Sequence, residues 1–211
     1  MNERPKVPLR PPETFVTEAA HLRGFDSVLW RVFATTSPHA LRWNELRRFG
    51  PIAGMRFDPH KLPQGMDSQA GVMYAATTPH TALAETFQAT RVIDRSLFGR
   101  EIVAWRPTRA LTLLDLTTNW PVLNGAAASM MMDDKVATAA WARAIHSAMG
   151  GEIDGLFHHS SITAEPVVTL FGGGRREPGL PKRPEFSAPL GAALADEIVS
   201  QASRRLGYRV V

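Results

Sequence analysis

Apolar residues along this chain gather in short runs bounded by glycine, proline and charged residues, the pattern of strands more than of long helices. Ser27 to Ala34 (SVLWRVFA) predicts a first strand with Arg31 inside it. Gly71 to Ala76 (GVMYAA), Glu101 to Arg106 (EIVAWR) and Leu111 to Leu116 (LTLLDL) predict three more. Gly155 to His158 and Val167 to Phe171 predict a strand pair around a serine-rich connection, and the run Gly172-Gly173-Gly174 stops the second member.

Elsewhere the period changes to that of a helix. Val136, Ala140, Trp141, Ala144, Ile145 and Ala148 form one stripe, predicting a helix over Val136 to Met149 that Gly150-Gly151 ends. Thr78 and Pro79 suit an N-cap and a first helical position, and Ala82, Leu83 and Phe87 then recur on one face, with Glu85 at its edge. A short helix is expected around Leu41 to Phe49, closed by Gly50-Pro51. Leu190, Leu194, Ile198 and Leu206 mark an amphipathic C-terminal helix. Strands and helices do not alternate strictly, which argues α+β over a doubly wound sheet. The expected layout is a proline-rich arm over 1–20, extended or poorly ordered at its start, and one central domain over 21–175. A charged, proline-rich linker and the final helix follow over 176–211, that helix packing on the domain or on a partner.

Composition narrows the function classes. The chain has no cysteine, so disulfides and thiolate chemistry are excluded. No apolar run is long enough to span a bilayer, and the first residues lack an apolar signal core; a cytoplasmic protein without membrane contact is expected. The net charge is +4, most of the positive charge is arginine, and no basic helix stands out. Guanidinium forks match phosphate oxygens, so a small phosphorylated ligand or an acidic protein partner fits better than direct nucleic-acid binding.

Familiar catalytic signatures are missing. There is no Walker sequence and no GxGxxG after a strand, and the triple glycine followed by Arg175-Arg176 suits a flexible turn. His158-His159 are neighbours on a strand and point to opposite faces, and no HExxH occurs, so no metal site is expected. Ser160 and Ser161 lack the GxSxG elbow of a hydrolase. An arginine, tyrosine, glutamate and serine set remains. Arg31 lies inside an apolar strand, where a guanidinium is costly unless paired. Arg56 falls in the GMRFDP turn, Tyr74 in the following strand, and Glu85 on the helix behind it. Each also has a plain structural explanation: ion pair, turn residue, core aromatic, surface charge.

The segments RVF, GMRFDP, GVMYAATTPHTALAETF and DGLFHHSS, in that order, resemble the RES domain family, named for a signature arginine, glutamate and serine. The likeness covers roughly residues 28–175 and falls on Arg31, Arg56, Tyr74, Glu85 and Ser160. Two positions depart from the usual pattern. Phe57 replaces a tryptophan, and Asp58 replaces an asparagine, adding a charge near Arg56. Ser161 beside Ser160 leaves two candidate hydroxyls, of which the spacing from Asp154 favours Ser160.

The resemblance implies an ADP-ribosyltransferase-like fold, with a mixed or antiparallel β core and flanking helices. It implies a toxin of a toxin–antitoxin pair, neutralised by a cognate helix-turn-helix antitoxin. NAD is then the substrate, consumed by phosphorolysis or hydrolysis, with inorganic phosphate a candidate acceptor and no metal. Breaking the nicotinamide–ribose bond builds positive charge on the ribose, as in glycoside cleavage. On that footing Glu85 stabilises the cation, and Arg31 and Arg56 clamp pyrophosphate or an incoming phosphate. Tyr74 stacks on the nicotinamide or holds its ribose, and Ser160 bonds ribose or phosphate. Transfer to a protein acceptor is the rival enzymatic reading. A non-catalytic interaction module is the other, with the C-terminal helix and Met130-Met131-Met132 as candidate contacts; the methionines serve equally as core filler.

Overall fold

The computed structural model describes residues 6–173 and 176–211; Gly174 and Arg175, within the expected glycine-rich turn, lie outside them, as do the first residues of the arm. Eight strands form one sheet: β1 (Leu22–Phe25), β2 (Leu29–Phe33), β3 (Gly71–Ala76), β4 (Glu101–Trp105), β5 (Leu111–Asp115), β6 (Gly155–His159), β7 (Pro166–Gly172) and β8 (Phe186–Pro189). Their order across the sheet is β1-β5-β6-β7-β3-β2-β4-β8. All neighbours are antiparallel except β5 and β6, which run parallel with Leu113 opposite Gly155. A parallel pair needs a long crossover. Here it carries α2 (Trp120–Leu123) and α3 (Lys135–Met149), while α1 (Pro79–Phe87) follows β3 and α4 (Asp196–Leu206) follows β8. The fold is α+β, as the element order predicts. No helix among the described residues is long and apolar enough to cross a membrane.

Alternation along the strands sorts side chains onto two faces. Val72, Leu114, Leu156 and Phe171 join α3 and its Trp141 in one cluster. Their strand neighbours Met73, Leu113, Phe157 and Leu170 belong to another, which Leu46, Trp43 and Leu180 cover. A third cluster sets Leu83 and Phe87 of α1 and Val199 and Ala202 of α4 against Ile102 and Ala188. Local signals account for the helix ends. Thr78 Oγ1 accepts the Thr81 N–H, and Pro79 opens α1. Asp134 caps α3 through the N–H groups of Val136 and Ala137.

Three sequence expectations need correction, and one strand is additional to those expected. No helix forms over Leu41 to Phe49; that stretch runs irregularly, and Arg47 bridges to Val72 beside β3. The run Ser27 to Ala34 forms β2 as expected, but an unexpected strand, Leu22–Phe25, precedes it and pairs with β5 at the other end of the sheet. The expected linker contains β8, whose pairing with β4 extends the domain past residue 175; Ala188 lies fully in the core. The stripe on α3 is rotated, with Val136 exposed and Ala137, Trp141, Ala142 and Ile145 buried. The described part of the proline-rich arm is an extended strap packed on the domain. Val7 is buried, Phe15 stacks near Trp120 and Trp141, the Pro8 carbonyl accepts from Trp141 Nε1 at 2.8 Å, and Asn124 bonds both N–H and C=O of Val16.

Candidate active site

Strands β2 and β3 are neighbours, yet only Trp30 and Ala76 pair between them. Beyond that pair the strands part, and a cavity of about 360 Å³ opens there. Its walls come from the sheet (Tyr74, His158, Thr169), from α1 (Glu85) and from two loops that carry Arg56 and Met131. Arg31, Arg56, Tyr74, Glu85, Ser160 and Ser161 all border this one space.

Glu85 is half-buried on the inner side of α1. Its carboxylate accepts the Ser160 hydroxyl at 2.5 Å on one oxygen and the Gln88 amide at 3.3 Å on the other. Ser160 is itself buried, and its oxygen accepts the N–H groups of Ile162 and Thr163 at 3.0 and 3.1 Å. Its one proton therefore goes to Glu85, and the serine acts as a holder of the carboxylate in this structure. Ser161 is exposed. The Ser160–Glu165 turn is fastened to the start of α1: Glu165 accepts from Thr78 and Thr81 Oγ1 (both 2.7 Å), from His80 Nε2 (2.6 Å) and from Arg205 Nη2 (2.6 Å). Burial alone would raise the Glu165 carboxyl; the His80, Thr78 and Thr81 bonds outweigh it and hold it at about 2.

Arg56 projects from a turn in which Gly54 and Phe57 both have positive φ, 79° and 56°. A left-handed phenylalanine is uncommon and persists only where its surroundings fix it. Here its ring is fully buried and lies 4.6 Å from the His158 ring, so the turn stows Phe57 and frees Arg56. The guanidinium donates to the Asp133 carbonyl at 2.6 Å. Burial draws its pKa below the ordinary arginine value, against the pull of Glu85, Asp133 and Asp134.

Arg31 comes to the cavity differently. Trp30 and Val32 pack on the α1 side of β2. The guanidinium of Arg31 reaches the other way and donates to the carbonyls of Trp43 (2.9 Å) and Glu45 (3.4 Å). Burial lowers its pKa to about 10, with Glu45 opposing. The structure thus gathers Arg56, Glu85, Ser160 and Tyr74 from one side and sets Arg31 at the split between strands. The Tyr74 ring packs on the core, and its buried hydroxyl has no hydrogen-bond partner among the described residues. Burial and the nearby Asp58 raise its pKa, against Arg47.

His158 is a wall residue that the sequence reading weighed only as a metal ligand. It is buried, Nε2 lies 2.9 Å from Thr169 Oγ1 and Nδ1 lies 3.2 Å from the His159 carbonyl. Burial depresses its pKa to about 4, so it is neutral near pH 7. The signal is in the spacing: His158, on β6, stands two residues before Ser160, and both line the cavity. Met130 and Met131 are buried, and Met131 lines the cavity, while Met132 is exposed. Among the described residues no group of three or more His, Asp or Glu side chains is placed to hold a metal ion.

A half-enclosed pocket with one carboxylate, the two guanidinium groups of Arg31 and Arg56, the Lys135 ammonium and aromatic walls suits an anionic ligand on which positive charge develops. The family model of the RES domain matches residues 28–190, which reaches through β8. The chain belongs to the RES domain family. The match begins one residue before β2 and ends one residue after β8, so the RES domain spans the sheet from β2 to β8 and leaves β1 and the strap outside. The RES fold is also that of a chain in the crystal structure of the M. tuberculosis MbcT–MbcA toxin–antitoxin complex. The two superpose with a TM-score of 0.57 at 18% identity, over 85% of this chain and 92% of that one. No curated protein sequence matches this RES chain.

Proposed function

We propose that this protein is the toxin of a toxin–antitoxin pair and that it cleaves the nicotinamide–ribose bond of NAD in the cytoplasm. The observation that carries the reading is the Glu85 carboxylate, fixed by Ser160 inside a cavity that Arg56 also enters. As the C–N bond breaks, nicotinamide leaves with the bonding electrons and the ribose carbon gains positive charge. A carboxylate already oriented there lowers the cost of that charge without reorganising. The Ser160 hydroxyl and the Gln88 amide hold Glu85 in one rotamer; Arg56 offers charged donors to the pyrophosphate, which a guanidinium binds in a fork. Tyr74 supplies flat apolar wall. Water or inorganic phosphate then adds to the ribose carbon, giving ADP-ribose or its 1-phosphate.

Membership of the RES family and the shared fold with a chain of the MbcT–MbcA complex support an antitoxin as partner; we take that antitoxin to be of the helix-turn-helix type. The deciding experiment is incubation of the purified protein with NAD, with and without phosphate, followed by chromatography of the products. Cleavage only with phosphate identifies phosphorolysis, and cleavage in both identifies hydrolysis. Intact NAD in both, with label appearing on lysate proteins, identifies a protein acceptor. Intact NAD without labelling ends the enzymatic reading.

A further inference from the structure

The turn that presents Arg56 is held at both ends by one side chain. Asp58 is inaccessible to solvent and takes four hydrogen bonds. One oxygen accepts Arg47 Nη2 at 2.8 Å and the Ile52 N–H at 2.9 Å; the other accepts the His60 N–H at 3.1 Å and His60 Nδ1 at 2.6 Å. With the imidazole proton on Nδ1, all four partners are donors. Arg47 also donates to the Phe49 carbonyl, which ties the anchor to the segment entering the turn. Between Ile52 and His60 the backbone passes through the left-handed Gly54 and Phe57, and Arg56 sits between them. A loop with two such residues needs over-determined ends, and a carboxylate with four donors provides them.

An asparagine, the residue that the family pattern carries here, does not fit this set. An amide has one acceptor oxygen, and its NH₂ would face the donors of Arg47 and Ile52 or those of His60. Arg47 would also lose the charge that balances it.

We propose that Asp58 is the positioning residue of this site: with Arg47 and His60 it fixes the Ile52–His60 turn so that Arg56 meets the phosphates of its ligand, and in this chain an asparagine cannot replace it. Its kinetic readout rests on the NAD reading above.

The test is a cycle in which Asp58→Asn is made alone and together with Arg56→Ala. Alone it raises KM for NAD between roughly tenfold and a hundredfold, the scale of a displaced binding group, with kcat far less changed. In the Arg56→Ala background the same substitution leaves KM unmoved, because the group it positioned is gone. Equal effects in both backgrounds, or none in either, overturn the proposal. If Asp58→Asn does not fold, His60→Ala, which removes one of the four donors, enters the same cycle with a smaller expected shift. A second readout needs no catalysis: the rate of trypsin cleavage after Arg56 rises in Asp58→Asn and stays low in the parent. Should the parent leave NAD intact, the NAD reading falls, and unchanged trypsin protection at Arg56 is then what would sink the role of Asp58.

Discussion

Asp154 and Glu85 are both carboxylates beside the same sheet, and their surroundings are opposite. Asp154 is fully buried and receives five hydrogen bonds: two from Arg109, two from Arg176 and one from the Thr112 N–H. Burial would raise its pKa, but the Arg109 and Arg176 bonds hold it at about 2. No lone pair is left for a ligand. Glu85 has one hydroxyl and one amide and faces an open cavity. The arginines divide in the same way: Arg109 and Arg176 are spent on Asp154, while Arg31 and Arg56 bond only carbonyl oxygens among the described residues. Saturation marks the structural charges, and spare capacity marks those available to a substrate.

The contrast breaks most sharply at Asp154. Asp154→Asn should lower stability by about 3 kcal/mol in denaturant melts, the low end for a broken buried pair because both arginines keep access to water. Unchanged stability would remove Asp154 from the structural side. Glu85→Gln should do the reverse. We expect turnover to fall by about two to three orders of magnitude, the scale of losing one preorganised electrostatic group, while KM and the melting temperature change little. Near-parental NAD consumption would leave Glu85 without a catalytic role. Arg56→Ala comes next: calorimetry should show NAD binding weaker by about 1.5–3 kcal/mol. Equal affinity would move Arg56 out of the site. The smallest effect belongs to Glu165. Its folded pKa of about 2 lies below the ordinary carboxyl value, so its contribution is present above that ordinary value and is lost as pH falls toward 2. Glu165→Gln should flatten the dependence of the melting temperature on pH over that acidic window, and an unaltered slope would show that the tie to α1 carries no weight.

Much of this was legible in order along the chain because it rests on local rules. The Thr78-Pro79 start of α1, the strand at Gly71 and the glycine end of α3 follow from caps and periods of a few residues. The site residues were legible as a set through the resemblance of short motifs. The chain could not show what depends on tertiary contact. Nothing local says that the Ser160 hydroxyl meets Glu85, 75 positions earlier. Asp58 is legible in the sequence as a charge near Arg56, but not its balancing partner, because Arg47 belongs to a stretch expected to be helical. Strand β8 was hidden by the prolines and charges around it, and its assignment depends on an edge position next to β4. The direction of Arg31 depended on register within β2, which a single apolar run does not specify.

The strap at the start of the chain has a consequence in time. It leaves the ribosome well before its anchors, which lie far downstream: Pro8 waits for Trp141, 133 positions later, and Val16 for Asn124, 108 positions later. Synthesis proceeds at about 5–20 residues per second, so those partners emerge seconds after the strap does. Glu85 in turn waits for Ser160, and the sheet closes only with β8. A nascent chain therefore has no finished site until β8 has been made, more than a hundred residues after Arg56 and a full sheet's width of pairing later.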